Sequence, residues 1–279
     1  MKRSILATAF LAATCVAPAL QAAGPVALKT TEFGRGPTVV LVHGLGGARM
    51  SWMPTARKLL GGHRVVMVDL PGHGESALPD PFSLSIAADA LDRVLAGQKA
   101  ESTVVVGQGL GGMLALLAAS AHPERVKGVV VIDAATKFGM QIPDQQQRYF
   151  LSYLDEHYDE FLKGMYARAG RDSAQGVTLH AQAALVPAAS MKAYLKALLN
   201  ADASKALKGF KAAFLYVGTE KGWPADKDWP ALAKQFGYEE PGSIAARRLA
   251  NCGPMVMSEQ PDSLAALISE FAAKAIAKK

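Results

Sequence analysis

The run Val104-Val105-Val106-Gly107-Gln108-Gly109-Leu110-Gly111-Gly112 carries the clearest chemical signal in the chain. Three β-branched residues lead into a glycine-rich turn, and the apolar run from Met113 to Ala121 follows at once. A strand, a tight turn and a helix N-terminus are predicted in succession. A helix N-terminus offers unpaired backbone N–H groups and a partial positive charge, both suited to an anion or a developing oxyanion. Two chemistries use such a turn. Acyl transfer places a Ser, Cys or Asp nucleophile at its apex, with a His to move the proton and an acid to orient the His. Dinucleotide binding uses Gly-x-Gly-x-x-Gly, which Gly107, Gly109 and Gly112 match; Asp133, 21 residues past Gly112, stands where a ribose-binding acid would.

The surrounding pattern says what positions this turn. A short strand after Val26, a Gly-Arg-Gly-Pro turn and a buried strand Thr38 to Val42 lead to His43-Gly44-Leu45-Gly46-Gly47. A helix from about Trp52 to Leu60, a strand Arg64 to Val68, the turn Asp69 to Ser76 and a helix Ser85 to Ala96 come next. After the glycine turn and its helix, the strand Gly128 to Ile132 ends at Asp133. Strands alternating with helices of this length predict an α/β fold with a doubly wound, mostly parallel sheet. The pattern then changes. Asp144 to Arg168 places Phe150, Leu154, Tyr158, Phe161, Leu162 and Met165 at helical spacing, and Ala183 to Leu199 reads as a second helix. We read residues 137–208 as a helical cap between two parts of a core, 23–136 and 209–279. In the second part, a strand Ala212 to Val217 is followed by Gly218-Thr219-Glu220-Lys221 and a loop holding Trp223-Pro224 and Trp229-Pro230. A strand Ser243 to Leu249, the turn Asn251 to Pro254 and a closing helix Asp262 to Ala277 complete it.

Composition bounds the rest. Half of the 279 residues are hydrophobic, enough for one large α/β domain. Lys2 and Arg3 precede an apolar run, Ile5 to Leu20, that ends at Gln21-Ala22-Ala23. This describes a secretory signal peptide over residues 1–22 and an exported, periplasmic or secreted protein. Its loss takes Lys2 and Arg3 and lowers the net charge from +6 to +4. That excess is spread out, densest at Lys274, Lys278 and Lys279, a pattern of a solvated helix end rather than of nucleic-acid binding. No later stretch is long enough to span a membrane. Cys252 is the one cysteine left after Cys15 is removed, so an intrachain disulfide is excluded.

His43-Gly44 after a buried strand, Asp69-x-Pro71-Gly72-x-Gly74-x-Ser76, the glycine turn and Glu259-Gln260-Pro261 together resemble the alpha/beta-hydrolase superfamily over essentially the whole mature chain. In that family the nucleophile sits in Gly-x-Ser-x-Gly, and the corresponding residue here is Gly109. The family's His usually follows a Gly and stands five residues before the Glu of Glu-x-Pro, which gives Pro254. Its acid usually follows the seventh strand, which gives Lys221, with Glu220 beside it. The resemblance therefore implies a substituted triad around oxyanion donors that remain, the backbone N–H groups of Leu45 and Leu110, framed by His43 and Gly44. It implies neither a cofactor nor a metal. The N-myc downstream-regulated family is a precedent, with this fold and a glycine at the nucleophile position.

Other groups are weighed against structural roles. His43 and His73 sit in backbone-shaping turns, Ser76 ends one, and His122 follows the helix after the glycine turn. Cys252 lacks a cationic neighbour to activate it. Asp133 occupies a place where some relatives carry their acid, and Trp223 and Trp229 either cover a pocket mouth or pack their loop. The reading that follows is an exported, non-catalytic or impaired protein that binds a small, partly apolar ligand, neutral or anionic, or a protein partner between sheet and cap. Its rival is an ester hydrolase using non-standard groups, for example water activated by a cap histidine, His157 or His180. A minor alternative is a dinucleotide-binding protein.

Overall fold

Valine-rich runs build the centre. In the computed structural model, which describes residues 26–137, 143–238 and 244–277, strands β1 (Thr30–Gly34), β2 (Thr38–Val42), β3 (Arg64–Val68), β4 (Thr103–Gln108), β5 (Gly128–Ile132), β6 (Ala213–Gly218) and β7 (Ala245–Arg248) form one sheet. Their order is β1-β3-β2-β4-β5-β6-β7, with β1 antiparallel to β3 and the other pairs parallel. The expected signal segment 1–22, together with Lys278 and Lys279, lies outside the described residues.

Alternation along the strands divides the core between two faces. Val40, Val42, Val66, Val68, Val105 and Val131 pack with helices α2 (Leu84–Ala96) and α3 (Leu110–Ala121). Val39, Leu41, Val65, Met67, Val104 and Val106 face α1 (Met53–Leu59) and the closing helix, Pro261–Ala277. Helix α3 is apolar on all sides and almost wholly buried, which anchors its N-terminal turn firmly.

Between β5 and β6 the chain inserts α4 (Asp144–Glu156), α5 (Tyr158–Ala169), α6 (Ser173–Ala183) and α7 (Ala188–Leu198). The stretch Asp144 to Arg168 is thus two helices rather than one. His157 leaves helical geometry (φ −126°, ψ 35°) and both ends α4 and precedes α5. Helix α6 is an addition to the sequence reading, and it carried a signal: Asp172 is its N-cap, accepting from the Gln175 N–H at 2.8 Å.

The expected tryptophan loop is partly helical as well. Asp228 caps α8 (Trp229–Gln235), where Pro230 sits in the first turn and lacks only a donor that would be unpaired there anyway. A short α9 (Val256–Glu259) precedes α10, the closing helix. Among the described residues no helix is long and apolar enough to cross a membrane.

Candidate functional site

The strand order reverses between β2 and β4. The chain leaves β2 toward β3 on one side and later returns to β4 on the other, and a crevice opens at such a switch point beyond the carboxyl ends of the strands. Both glycine turns lie there, His43 to Gly47 after β2 and Gln108 to Leu110 where β4 ends. They line one pocket of about 450 Å³, roofed from the inserted helices by Met165, Tyr166, Leu179, Gln182 and Leu198. A larger groove, about 790 Å³, lies between α2, α3 and α7 and touches neither turn.

The turn after β4 has the geometry of a nucleophile's seat without its side chain. Gly109 adopts φ 53° and ψ −119°, a conformation that glycine takes at little cost. Its N–H donates to the Ile132 carbonyl at 2.8 Å, and its own carbonyl accepts from Gly112 and Met113. A Cβ built on Gly109 would meet nothing within 4 Å, whereas one on Gly107 would strike the Gly111 backbone and one on Gly111 the His43 carbonyl. The outer glycines are thus demanded by packing and the central one by its backbone angle. Beyond it, Leu110 opens α3, so its N–H lacks an intrahelical acceptor.

The opposite turn is held by two histidines. The His43 Nδ1–H donates to the Gly44 carbonyl at 2.8 Å while Nε2 accepts from the Leu70 N–H at 3.1 Å. His73 is used in the same way, with Nδ1 on the Pro71 carbonyl at 3.1 Å and Nε2 accepting from the Gly46 N–H at 3.2 Å. Burial, and then the neighbouring His73, lower the pKa of His43 to about 3; burial also lowers that of His73. Both rings are therefore neutral braces with their nitrogens occupied. Asp69 anchors the next turn: its carboxylate accepts from the N–H groups of Arg49 (2.7 Å) and Glu75 (3.0 Å) and pairs with the Arg49 guanidinium. Burial works against that charge, but these hydrogen bonds hold the Asp69 pKa below its usual value. Ser76 donates to the Asp69 carbonyl and is structural.

Pro254 lines the same pocket as Gly109, so the positions expected for base and nucleophile do converge. The loop before it is tied down by Glu259, whose carboxylate accepts from the Gly253 N–H at 3.0 and 3.1 Å and from Gln175 Nε2 at 2.8 Å. Glu220 and Lys221, by contrast, are exposed and do not line the pocket. The carboxylate that follows β5 at this end of the sheet is Asp133, partly buried. It accepts from the Thr219 N–H at 2.8 Å and from the Thr219 hydroxyl, and burial raises its pKa to about 6 despite those bonds.

The remaining candidates fall away from the pocket. His157 is half exposed beside Tyr153 and Glu160, and His180 lines a separate hollow with Tyr158 and Lys163, so neither histidine stands over the glycine turn. Cys252 is buried, donates to the Leu249 carbonyl, and is pushed up to about 11 by burial and then by Glu259. His122 pairs with Asp92 and Glu124 at the surface. Trp223 and Trp229 stack 5.4 Å apart and pack toward Tyr216, away from the pocket mouth. Sequence reasoning missed Gln108, Gln182 and the methionines Met50, Met255 and Met257 as lining residues, because no local pattern marks which side chains meet at a switch point.

The model of the alpha/beta hydrolase family matches residues 39–267, from the second strand into the last helix. The chain belongs to the alpha/beta hydrolase family. The pimeloyl-(acyl-carrier protein) methyl ester esterase of Pseudoalteromonas atlantica is 38% identical to this chain over 113 residues, 40% of this chain and 42% of that enzyme. The enzyme of the same name from Vibrio campbellii is 32% identical over 132 residues, 47% of this chain and 50% of that enzyme. The chain therefore spans no more than half the length of either relative. Among solved structures, a hydrolase from Oleispira antarctica (TM-score 0.72, 16% identity, 88% of this chain and 94% of that one) shares the fold. So does the enol-lactonase from Burkholderia xenovorans LB400 (TM-score 0.70, 18% identity, 88% and 96%).

These relatives correct the expectation of a non-catalytic binding protein. The two relatives above are named as esterases and others as putative carbamate hydrolases, and the ester-hydrolase alternative fits them better. The physical reason is that a missing hydroxyl removes one nucleophile but leaves backbone donors and pocket in place. The dinucleotide alternative falls too. Both carboxylate oxygens of Asp133 are engaged by Thr219 rather than presented to a ribose, and packing accounts for Gly107 and Gly112.

Proposed function

We propose that this alpha/beta hydrolase cleaves carboxylic esters with water-derived hydroxide in the place of a serine nucleophile. The observation that carries the reading is Gly109: the backbone keeps the angle of a nucleophile's turn, and the space a side chain would enter is open to the pocket. In this mechanism hydroxide attacks the ester carbonyl carbon from that space. The carbonyl oxygen becomes an oxyanion received by the N–H groups of Leu45 and Leu110, favoured by the α3 dipole. The acyl carbon–oxygen bond then breaks, the alkoxide takes a proton from water, and acid and alcohol leave. The basic start and apolar run at residues 2–20 support an exported enzyme, releasing these products outside the cytoplasm.

The oxyanion donors and binding alone support a rate roughly 10³–10⁴-fold above the uncatalysed reaction, as they do where a triad has been removed. The pH dependence tests the absence of a base. His43 is the one imidazole lining the pocket among the described residues, and both of its nitrogens are engaged. With hydroxide as nucleophile, the enzyme-dependent kcat/KM for a short-chain chromogenic ester is expected to rise about tenfold per pH unit from pH 6 to 9. A histidine base would instead give a plateau above its pKa, near 6.5 when unperturbed. A plateau would overturn the hydroxide mechanism.

A further inference from the structure

The pocket wall also bears on which esters enter. None of its lining side chains is charged at neutral pH: the polar ones are Ser51, Gln108, Tyr166, Gln182 and Ser258, with His43 held neutral. Tyr166 is committed, its hydroxyl donating to the Leu45 carbonyl at 2.8 Å. The nearby Arg171 and Glu259 pair with each other at 3.3 Å outside this lining, so neither is a free counter-ion for a ligand. A carboxylate or ammonium drawn into such a pocket would lose its water and gain no partner.

The rest of the wall is apolar and adaptable. Methionines enter from three places: Met50 near the first turn, Met165 on α5, and Met255 and Met257 around α9. Thioether side chains have three rotatable bonds and fit chains of varied shape. Leu179 and Leu198 line the side contributed by α6 and α7. The volume, about 450 Å³, amounts to roughly fifteen water-sized units at ~30 Å³ each.

Resting on the ester-hydrolase reading above, we infer that the substrate is an uncharged ester with an apolar acyl chain of medium length, and that acyl chains ending in a charge are excluded. The polar end, with the ester group, lies at the Gly109 turn, and the chain runs along Met165, Leu179 and Leu198.

The test reads binding rather than turnover. Octanamide, which presents an eight-carbon acyl chain, and the monoamide of octanedioic acid, the same chain ended by a carboxylate, are titrated into the purified full chain by calorimetry at pH 7.5. Octanamide is expected to bind at least tenfold tighter. Leu179→Arg places a cation on the wall and is expected to reverse that order; Gln182→Arg, on the same helix, is the second variant and is expected to narrow the difference. Equal or tighter binding of the carboxylate by the unaltered protein, or no binding of either amide, overturns the inference. Tight octanamide binding without turnover of octanoate esters would overturn the hydrolase reading and leave the ligand class standing.

Discussion

Installing both missing groups together, Gly109→Ser with Pro254→His, is expected to raise kcat/KM for a short-chain ester at pH 8 by roughly 10²–10⁴-fold, the usual worth of positioned general acid–base catalysis. The two positions line one pocket, and the space in front of Gly109 is open, so a hydroxyl there meets no obstacle. The single changes separate the roles. Gly109→Ser alone fills the space from which hydroxide attacks with a hydroxyl that no base activates, and is expected to lower the rate. Pro254→His alone assists water, so its profile should bend from a steady rise to a plateau near the pKa of the new imidazole. Any non-glycine residue at φ 53° and ψ −119° carries backbone strain of about 1–3 kcal/mol, which urea denaturation of Gly109→Ser should show. An unaltered protein as fast as the double variant, with its own plateau, would mean that a base already serves the pocket.

His43→Leu is expected to destabilise the fold by roughly 1–3 kcal/mol at pH 7.5. The change leaves the Leu70 N–H unpaired in the interior, costing about 1–3 kcal/mol, while the Gly44 carbonyl keeps the Gly47 N–H as its donor. Against a total stability on the order of 5–15 kcal/mol, that loss is large. The pH dependence gives a sharper check. The pKa of His43 is 6.5 when unfolded and about 3 when folded. Below pH 6.5 the unfolded chain binds a proton that the folded chain refuses, so the His43 contribution is complete above pH 6.5 and is lost progressively toward pH 3. The slope is about 1.4 kcal/mol per pH unit. Asp133 works in the opposite sense, since its raised pKa makes the folded chain bind the extra proton between its ordinary value of 3.8 and about 6. Its effect is common to both proteins and cancels in their difference. The stability gap between unaltered protein and His43→Leu is therefore expected to shrink by about 2 kcal/mol between pH 7.5 and pH 5. Urea midpoints at the two pH values measure it, and a gap indifferent to pH would mean that folded His43 titrates normally.

Much of this molecule was legible before any fold was drawn. The valine runs and the helical spacing placed the strands and most helices, because local periodicity reports which side of an element is buried. The glycine turn and the spacing to Pro254 named two positions that do share a pocket, since both are set by short-range connections to strand ends. Sequence also showed that neither position carries a nucleophile or a base. It did not show that His43 and His73 brace two turns 27 residues apart, nor that Asp133 rather than Glu220 is the acid tied to Thr219 at the end of β5. The uncharged wall of Met165, Leu179, Gln182 and Met257 was hidden for the same reason. Each of those facts depends on which distant segments meet when the sheet reverses direction between β2 and β4. A pattern of period 2 or 3.6 says that a face must be covered. Only the crossing of the chain decides by what.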